Sequence, residues 1–140
     1  KVKNSTIPTL MLDLPTLKMV PQACMMYGIK EFELSPEPTV FLEDGDVVTF
    51  GNSKLDVIFT PGHAPGHVVF YAAEDGFVVN GDVLFLGSHG RTDLPGGDYQ
   101  TLKKSITEKM FALPDETIVL SGHGPETTIG QEKTSNPILY

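Results

Sequence analysis

The chain has 140 residues, 40% hydrophobic and 20% charged, a balance that suits one globular domain spanning residues 1–140 with a buried core. A formal net charge of −8, with no basic tract, argues against nucleic acid as a partner, and no apolar stretch approaches the length of a membrane span. Cys24 is the only cysteine and no secretory signal is visible, so no intrachain disulfide forms and a reducing, cytoplasmic setting is expected. The chain opens on Lys1 rather than methionine, which reads as the remainder of a longer protein.

Residues 1–7 are polar and weakly patterned. Asp13-Leu14-Pro15 supplies a cap and a first-turn proline, so a helix is expected from about Asp13, interrupted or kinked at Pro21 and ended by Gly28. Met19, Met25 and Met26 are expected to fill gaps in a core. Residues 31–38 read as an exposed connector. Residues 39–42 and 47–50 then flank an Asp44-Gly45 turn, the pattern of a β-hairpin. Another strand is expected over residues 55–59, and a second hairpin over 68–72 and 77–80 around Glu74-Asp75-Gly76. A glycine-rich loop, 87–98, precedes the clearest helix, 99–111. That helix has Leu102, Ile106 and Met110 on one face and Asp98 as its cap. A short buried strand over 117–120 follows, and then a tail, 126–140, with little periodicity.

Chemistry-bearing residues collect at the strand ends. Thr60-Pro61-Gly62-His63-Ala64-Pro65-Gly66-His67 places two imidazoles on a rigid loop between two strands. Asp82 follows the 77–80 strand, and His123 follows the 117–120 strand within Ser121-Gly122-His123-Gly124-Pro125. Imidazole, carboxylate and imidazole delivered from successive strand ends point to a metal site or an acid–base site. The plainer alternatives are a hairpin corner for the histidines and a turn former in Asp82. His89 reads as loop surface. No nucleophile motif, P-loop or dinucleotide fingerprint is present.

Together the octapeptide, Asn80-Gly81-Asp82, residues 90–98 and Ser121-Gly122-His123-Gly124-Pro125 resemble the later motifs of the metallo-β-lactamase superfamily. The resemblance is nearest to its small glyoxalase II-like hydrolases and covers the chain from about Leu10 onward. It implies an α/β fold, the C-terminal half of a four-layer αββα sandwich, with metals at one edge of the paired sheets. It implies His63 as a ligand of one metal, Asp82 as the carboxylate bridging two, and His123 as a ligand of the second. His67 would orient a neighbour rather than bind metal. Arg91 would contact an anionic part of the substrate, or else serve as a structural partner of Asp93 or Asp98. The implied cofactor is zinc, two ions in the complete family, with Fe or Mn as alternatives. The implied reaction is attack of a metal-bound hydroxide on a small thioester or ester.

One departure qualifies that reading. The family's first ligands lie in an H-x-H-x-D-H motif, and His63 is the first histidine of this chain. The expectation is therefore a domain incomplete on its N-terminal side, lacking half the metal ligands and inactive by itself. Two alternatives stand beside it: a non-catalytic half-sandwich that forms a homo-oligomer through its exposed sheet face, and an iron enzyme of the persulfide dioxygenase type.

Overall fold

The computed structural model describes residues 8–9, 11–34 and 36–140; the expected polar opening, residues 1–7, lies outside them. The chain divides into two compact units, Lys1–Leu42 and Glu43–Tyr140.

In the first unit, strand β1 (Pro8–Thr9) pairs in parallel with β2 (Val40–Phe41). Between them, helix α1 runs over Leu14–Met26 with Pro15 in its first turn, where a missing N–H costs nothing. The expected break at Pro21 does not occur. Proline removes one intrahelical hydrogen bond, and this 13-residue helix continues past it. Gly28, at φ 69°, ends the helix as expected, and the Ile29 amide returns to the Cys24 carbonyl at 2.9 Å. The methionines are not core fillers: Met25 and Met26 are 76% and 85% exposed, and no residue of α1 is buried. Their apolar chains meet no covering surface among the described residues.

The second unit is built on a six-stranded sheet. Its strands are β3 (Val47–Phe50), β4 (Ser53–Phe59), β5 (Val68–Ala72), β6 (Phe77–Gly81), β9 (Ile118–Ser121) and β10 (Thr127–Thr128). They lie in the order β10-β9-β6-β5-β4-β3, and every pairing is antiparallel except β6 with β9. A small hairpin, β7 (Leu84–Phe85) with β8 (Ser88–His89), leaves the end of β6.

The expected hairpin around Asp44-Gly45 is corrected. Residues 43–46 do turn, with the Asp46 amide on the Glu43 carbonyl, but β2 pairs with β1 while β3 folds back on β4 through Gly51-Asn52. Backbone bonds from Gly45 to Val57 and from Val57 to Asp46 commit this turn to β4. The hairpin around Glu74-Asp75-Gly76 forms as expected.

Helix α2 (Tyr99–Lys104) starts at Asp98, whose carboxylate accepts from the Thr101 amide at 2.7 Å. It continues as a π-helical stretch, Ser105–Lys109, and a 3₁₀ turn, Met110–Ala112. Leu102, Ile106 and Met110 are fully buried, and they join Val69, Val78 and Val119 of the sheet in one core with Ile129 and Ile138. The tail, unpatterned as sequence, holds β10, helix α3 (Ile129–Ser135) and a 3₁₀ turn, Pro137–Leu139. Strand β9 is buried on one side only: Val119 faces the core, while Ile118 and Leu120 are 40% and 38% exposed. The alternation of a strand sends them to the other face, beside Val79 in the Val79–Leu120 register pair.

Asp44 stitches this unit together at the far end of β4. Its Oδ1 accepts from the Phe59 amide at 2.7 Å, and Lys109 Nζ donates to its Oδ2 at 2.9 Å and to the Phe59 carbonyl at 2.7 Å. Partial burial works to raise the Asp44 carboxyl, but the bonds from Phe59 and Lys109 and the Lys109 charge outweigh it and leave its pKa lowered. A lowered folded pKa stabilises above the unfolded value near 3.8, and that contribution is lost as pH falls through the folded value. Asp44→Asn is accordingly expected to destabilise the protein by about 1 kcal/mol at pH 7. In thermal melts the gap from the parent should close below pH 3.8, and an equal gap at pH 3 and pH 7 would refute the assignment.

Candidate functional site

The octapeptide loop is seated on α2 before any of its histidines does anything. Thr60 is fully buried, and its amide donates to the His67 carbonyl at 2.8 Å, closing the loop where β4 and β5 end. Gly62 adopts φ +129°, and a Cβ there would run into the backbone of Leu102. Glycine permits both the conformation and the contact. The Asp98 amide donates to the Gly62 carbonyl at 2.8 Å, and the Ser105 hydroxyl donates to the Pro61 carbonyl at 2.7 Å. Ser105 begins the π-helical stretch, an irregularity often found beside functional sites.

From this loop His63 projects, 18% exposed. Its Nδ1 lies 2.8 Å from the Arg91 carbonyl. A carbonyl only accepts, so Nδ1 carries a proton, and Nε2 is turned toward Asp82, 3.6 Å from Oδ2. Asp82 leaves β6 just after a register shift between Val79 and Gly81. Its other oxygen, Oδ1, accepts from His123 Nδ1 at 2.8 Å. His123 is 77% exposed and meets the Phe85 ring edge-on at 6.2 Å. One carboxylate thus stands between two imidazoles, one on each oxygen.

The parallel pairing of β6 and β9 makes this arrangement. Gly81 is in register with Ser121, so the residues leaving the two strands emerge side by side, and the Gly122 amide donates to the Gly81 carbonyl at 2.8 Å. A Cβ on Gly122 would collide with Asp82 Oδ1, and one on Gly90 with the Asp82 carbonyl.

His67 lies behind the trio. Its Nε2 accepts from the Asp82 amide at 3.3 Å, which leaves its proton on Nδ1, 3.4 Å from the Thr60 hydroxyl. Gly81 leaves room for that ring; a Cβ there would sit 2.9 Å from His67 Nε2. The Arg91 guanidinium makes a two-pronged pair with Asp93, at 2.7 and 2.6 Å, and its bonds hold the Asp93 carboxyl down at about 2. The Arg91 backbone carbonyl touches the trio, at His63 Nδ1. His89 sits in β8 with Nδ1 2.9 Å from the Gly90 carbonyl, and its ring meets Tyr99 edge-on. The close approaches at Gly90 and Gly122 and the role of the Arg91 carbonyl are not visible in the sequence pattern. A glycine directly before His123 and another before Arg91 were the available signals.

The donors suit a divalent metal in kind. They fall short in number. The 3.6 Å gap between His63 Nε2 and Asp82 Oδ2 is one that an ion about 2 Å from each could bridge. The 2.8 Å separation of Asp82 Oδ1 and His123 Nδ1 is a direct hydrogen bond with no space for an ion between. Among the described residues no group of three or more His, Cys, Asp or Glu side chains could hold a metal ion. The residues present therefore do not by themselves complete a metal site. Nor, among the described residues, is any helix long and apolar enough to cross a membrane.

The chain is similar to known proteins in both sequence and fold. The profile of the metallo-β-lactamase superfamily matches residues 8–123. A probable metallo-hydrolase of Bacillus subtilis, YqgX, is 47% identical over 116 residues, covering 82% of this chain and 54% of its own. Hydroxyacylglutathione hydrolase GloC of Haemophilus influenzae is 40% identical over 120 residues, covering 86% of this chain and 57% of its own. The crystal structure of TTHA1623 in a di-iron-bound form superposes with a TM-score of 0.84 at 42% identity, over 94% of this chain and 64% of that one. The chain spans about half the length of the curated relatives it matches.

Gly122→Ala tests the construction of the trio. The added methyl must displace the Asp82 carboxylate, so loss of the Asp82–His123 hydrogen bond is expected, with a destabilisation of roughly 1–3 kcal/mol. A crystal structure of the variant with Asp82 and His123 still 2.8 Å apart would contradict it.

Proposed function

Because the chain belongs to the metallo-β-lactamase superfamily, we propose that it supplies one wall of the active site of a metal-dependent hydrolase acting on a small thioester or ester. The observation that carries this reading is the Asp82 carboxylate, shared between His63 and His123 at the end of two parallel strands. Bound divalent ions in such an enzyme lower the pKa of water and polarise a carbonyl. Zinc suits these donors, and iron or manganese would also be accommodated. Three donors are fewer than two such ions require, so the remaining ligands lie outside this trio.

The chain's own residues have separable tasks in this reading. The Arg91 carbonyl keeps the His63 proton on Nδ1 and its Nε2 turned inward. His67 holds the Asp82 backbone, fixing where the carboxylate starts. Asp82 holds His123, the outermost member, against the mouth of the site. The Arg91 side chain, held by Asp93 and close to His63 through its own backbone, is the group we assign to an anionic part of the substrate. The thioester class is supported by the likeness to hydroxyacylglutathione hydrolase.

A second reading, self-association, is favoured by one observation: Val79, Ile118 and Leu120 lie two-fifths exposed on the sheet face opposite α2 and α3. Sedimentation of this chain at micromolar concentration would show a dimer on that reading, and a monomer would dismiss it.

The hydrolase reading is tested in a protein of the relatives' length that carries this sequence. With zinc bound it should hydrolyse S-lactoylglutathione. Asp82→Asn should lower kcat/KM at least about a hundredfold, a loss of roughly 2.7 kcal/mol in transition-state stabilisation. Hydrolysis indifferent to both chelator and Asp82 would overturn the proposal.

A further inference from the structure

The C-terminal helix carries a buried carboxylate to which the reading above gives no task. Glu132 is fully buried, and its neighbours satisfy both oxygens: Thr127 Oγ1 donates to Oε1 at 2.6 Å, while Asn136 Nδ2 at 2.7 Å and the Gly87 amide at 3.0 Å donate to Oε2. All three donors are neutral. Burying a carboxylate is unfavourable unless it is hydrogen-bonded, and an acceptor-only group is what three converging donors demand. A glutamine would turn an N–H toward at least one of them.

The partners show what this arrangement holds. Gly87 is the tip of the β7–β8 hairpin, at φ 62°. The same Asn136 amide that donates to Glu132 also donates to the Ser88 carbonyl at 2.9 Å and lies 3.4 Å from that of Phe85. Backbone groups of the hairpin at Phe85, Gly87 and Ser88 therefore all end on two side chains from the C-terminal segment.

That hairpin touches one histidine of the trio directly and leads through the chain that follows it to the other. Phe85 presents its ring to His123. The chain leaving Ser88 and His89 passes through Gly90, whose amide donates to the Val83 carbonyl at 3.0 Å, and reaches Arg91, whose carbonyl holds His63 Nδ1. At the base of the hairpin, the Leu84 carbonyl accepts from Asn80 Nδ2, next to last in β6, at 2.8 Å and from Ser121 Oγ, at the end of β9, at 2.9 Å.

We infer that Glu132 is a positioning residue of the His63–Asp82–His123 site, acting through the β7–β8 hairpin to set the proton and orientation of His63 and the placement of His123. The inference rests on the proposed site but not on its reaction, so it is tested without activity.

The experiment is ring-¹⁵N NMR of histidine-labelled protein, with hydrogen exchange at Gly87, comparing the full chain with Glu132→Gln and with Ile129→Val. The latter is a core truncation on the same helix that leaves every hydrogen bond of the arrangement in place. The parent should show His63 predominantly protonated on Nδ1. Glu132→Gln should lower the ratio of the Nδ1–H to the Nε2–H form by about threefold to tenfold, the worth of one hydrogen bond, and speed Gly87 exchange. Ile129→Val should lower the melting temperature and leave the His63 ratio unchanged. Should Glu132→Gln fail to fold, Asn136→Ala, which removes the links to Ser88 and Phe85, is read against the same two outcomes. An unchanged ratio, or an equal change in Ile129→Val, would overturn the assignment. Absence of hydrolysis in the longer protein with this arrangement intact would sink the proposed reaction and leave the positioning role standing.

Discussion

The parallel pairing of β6 with β9 is the constraint on which the rest of the structure depends. It is the one parallel register in a sheet otherwise antiparallel. Antiparallel neighbours would deliver Asp82 and His123 to opposite ends of the sheet; parallel ones bring them out together. The crossover this pairing requires is the segment between the two strands, and that segment is not idle chain. It carries the β7–β8 hairpin, the Arg91 turn and the α2 helix, each of which contacts a member of the trio or the loop that bears it.

Closeness at the strand ends is obtained by leaving side chains out. Gly62, Gly81, Gly90 and Gly122 each face an atom that a Cβ would strike, respectively on Leu102, His67, Asp82 and Asp82 again. The result is a graded site. His63 is largely enclosed, Asp82 intermediate and His123 open to solvent. Enclosure fixes the tautomer of His63 through a backbone carbonyl, and exposure leaves His123 restrained by the carboxylate and one aromatic edge. This gradient gives the trio an inner and an outer side.

Much of this was legible in the sequence where the determining interactions are local. The strand–loop–strand around His63, the Asp98 cap with its Leu102–Ile106–Met110 stripe, and the Glu74-Asp75-Gly76 hairpin are decided within a few residues of themselves. Resemblance of motifs located the metallo-β-lactamase fold, and the family match bears that out. What is not legible depends on distant partners. Val40 and Phe41 carry a strand pattern, but nothing local says that they pair with Pro8 and Thr9 rather than across the Asp44-Gly45 turn. Residues 126–140 lack periodicity because Glu132 and Asn136 are buried polar residues satisfied by each other, by Thr127 and by the hairpin, a circumstance invisible to any hydrophobic pattern. The exposure of Met25 and Met26 likewise turns on whether a covering surface is present, and side-chain chemistry alone does not decide that.

The central claim is that Asp82 is the shared point of the site, and the most direct test is where a metal binds. The measurement is a crystal structure of a relatives'-length protein carrying this sequence, grown with zinc and phased on its anomalous signal. The account predicts an ion about 2.0–2.2 Å from an Asp82 carboxylate oxygen, with His63 Nε2 among its ligands. Fully occupied zinc elsewhere, with Asp82 still hydrogen-bonded to His123 and free of metal, would contradict it.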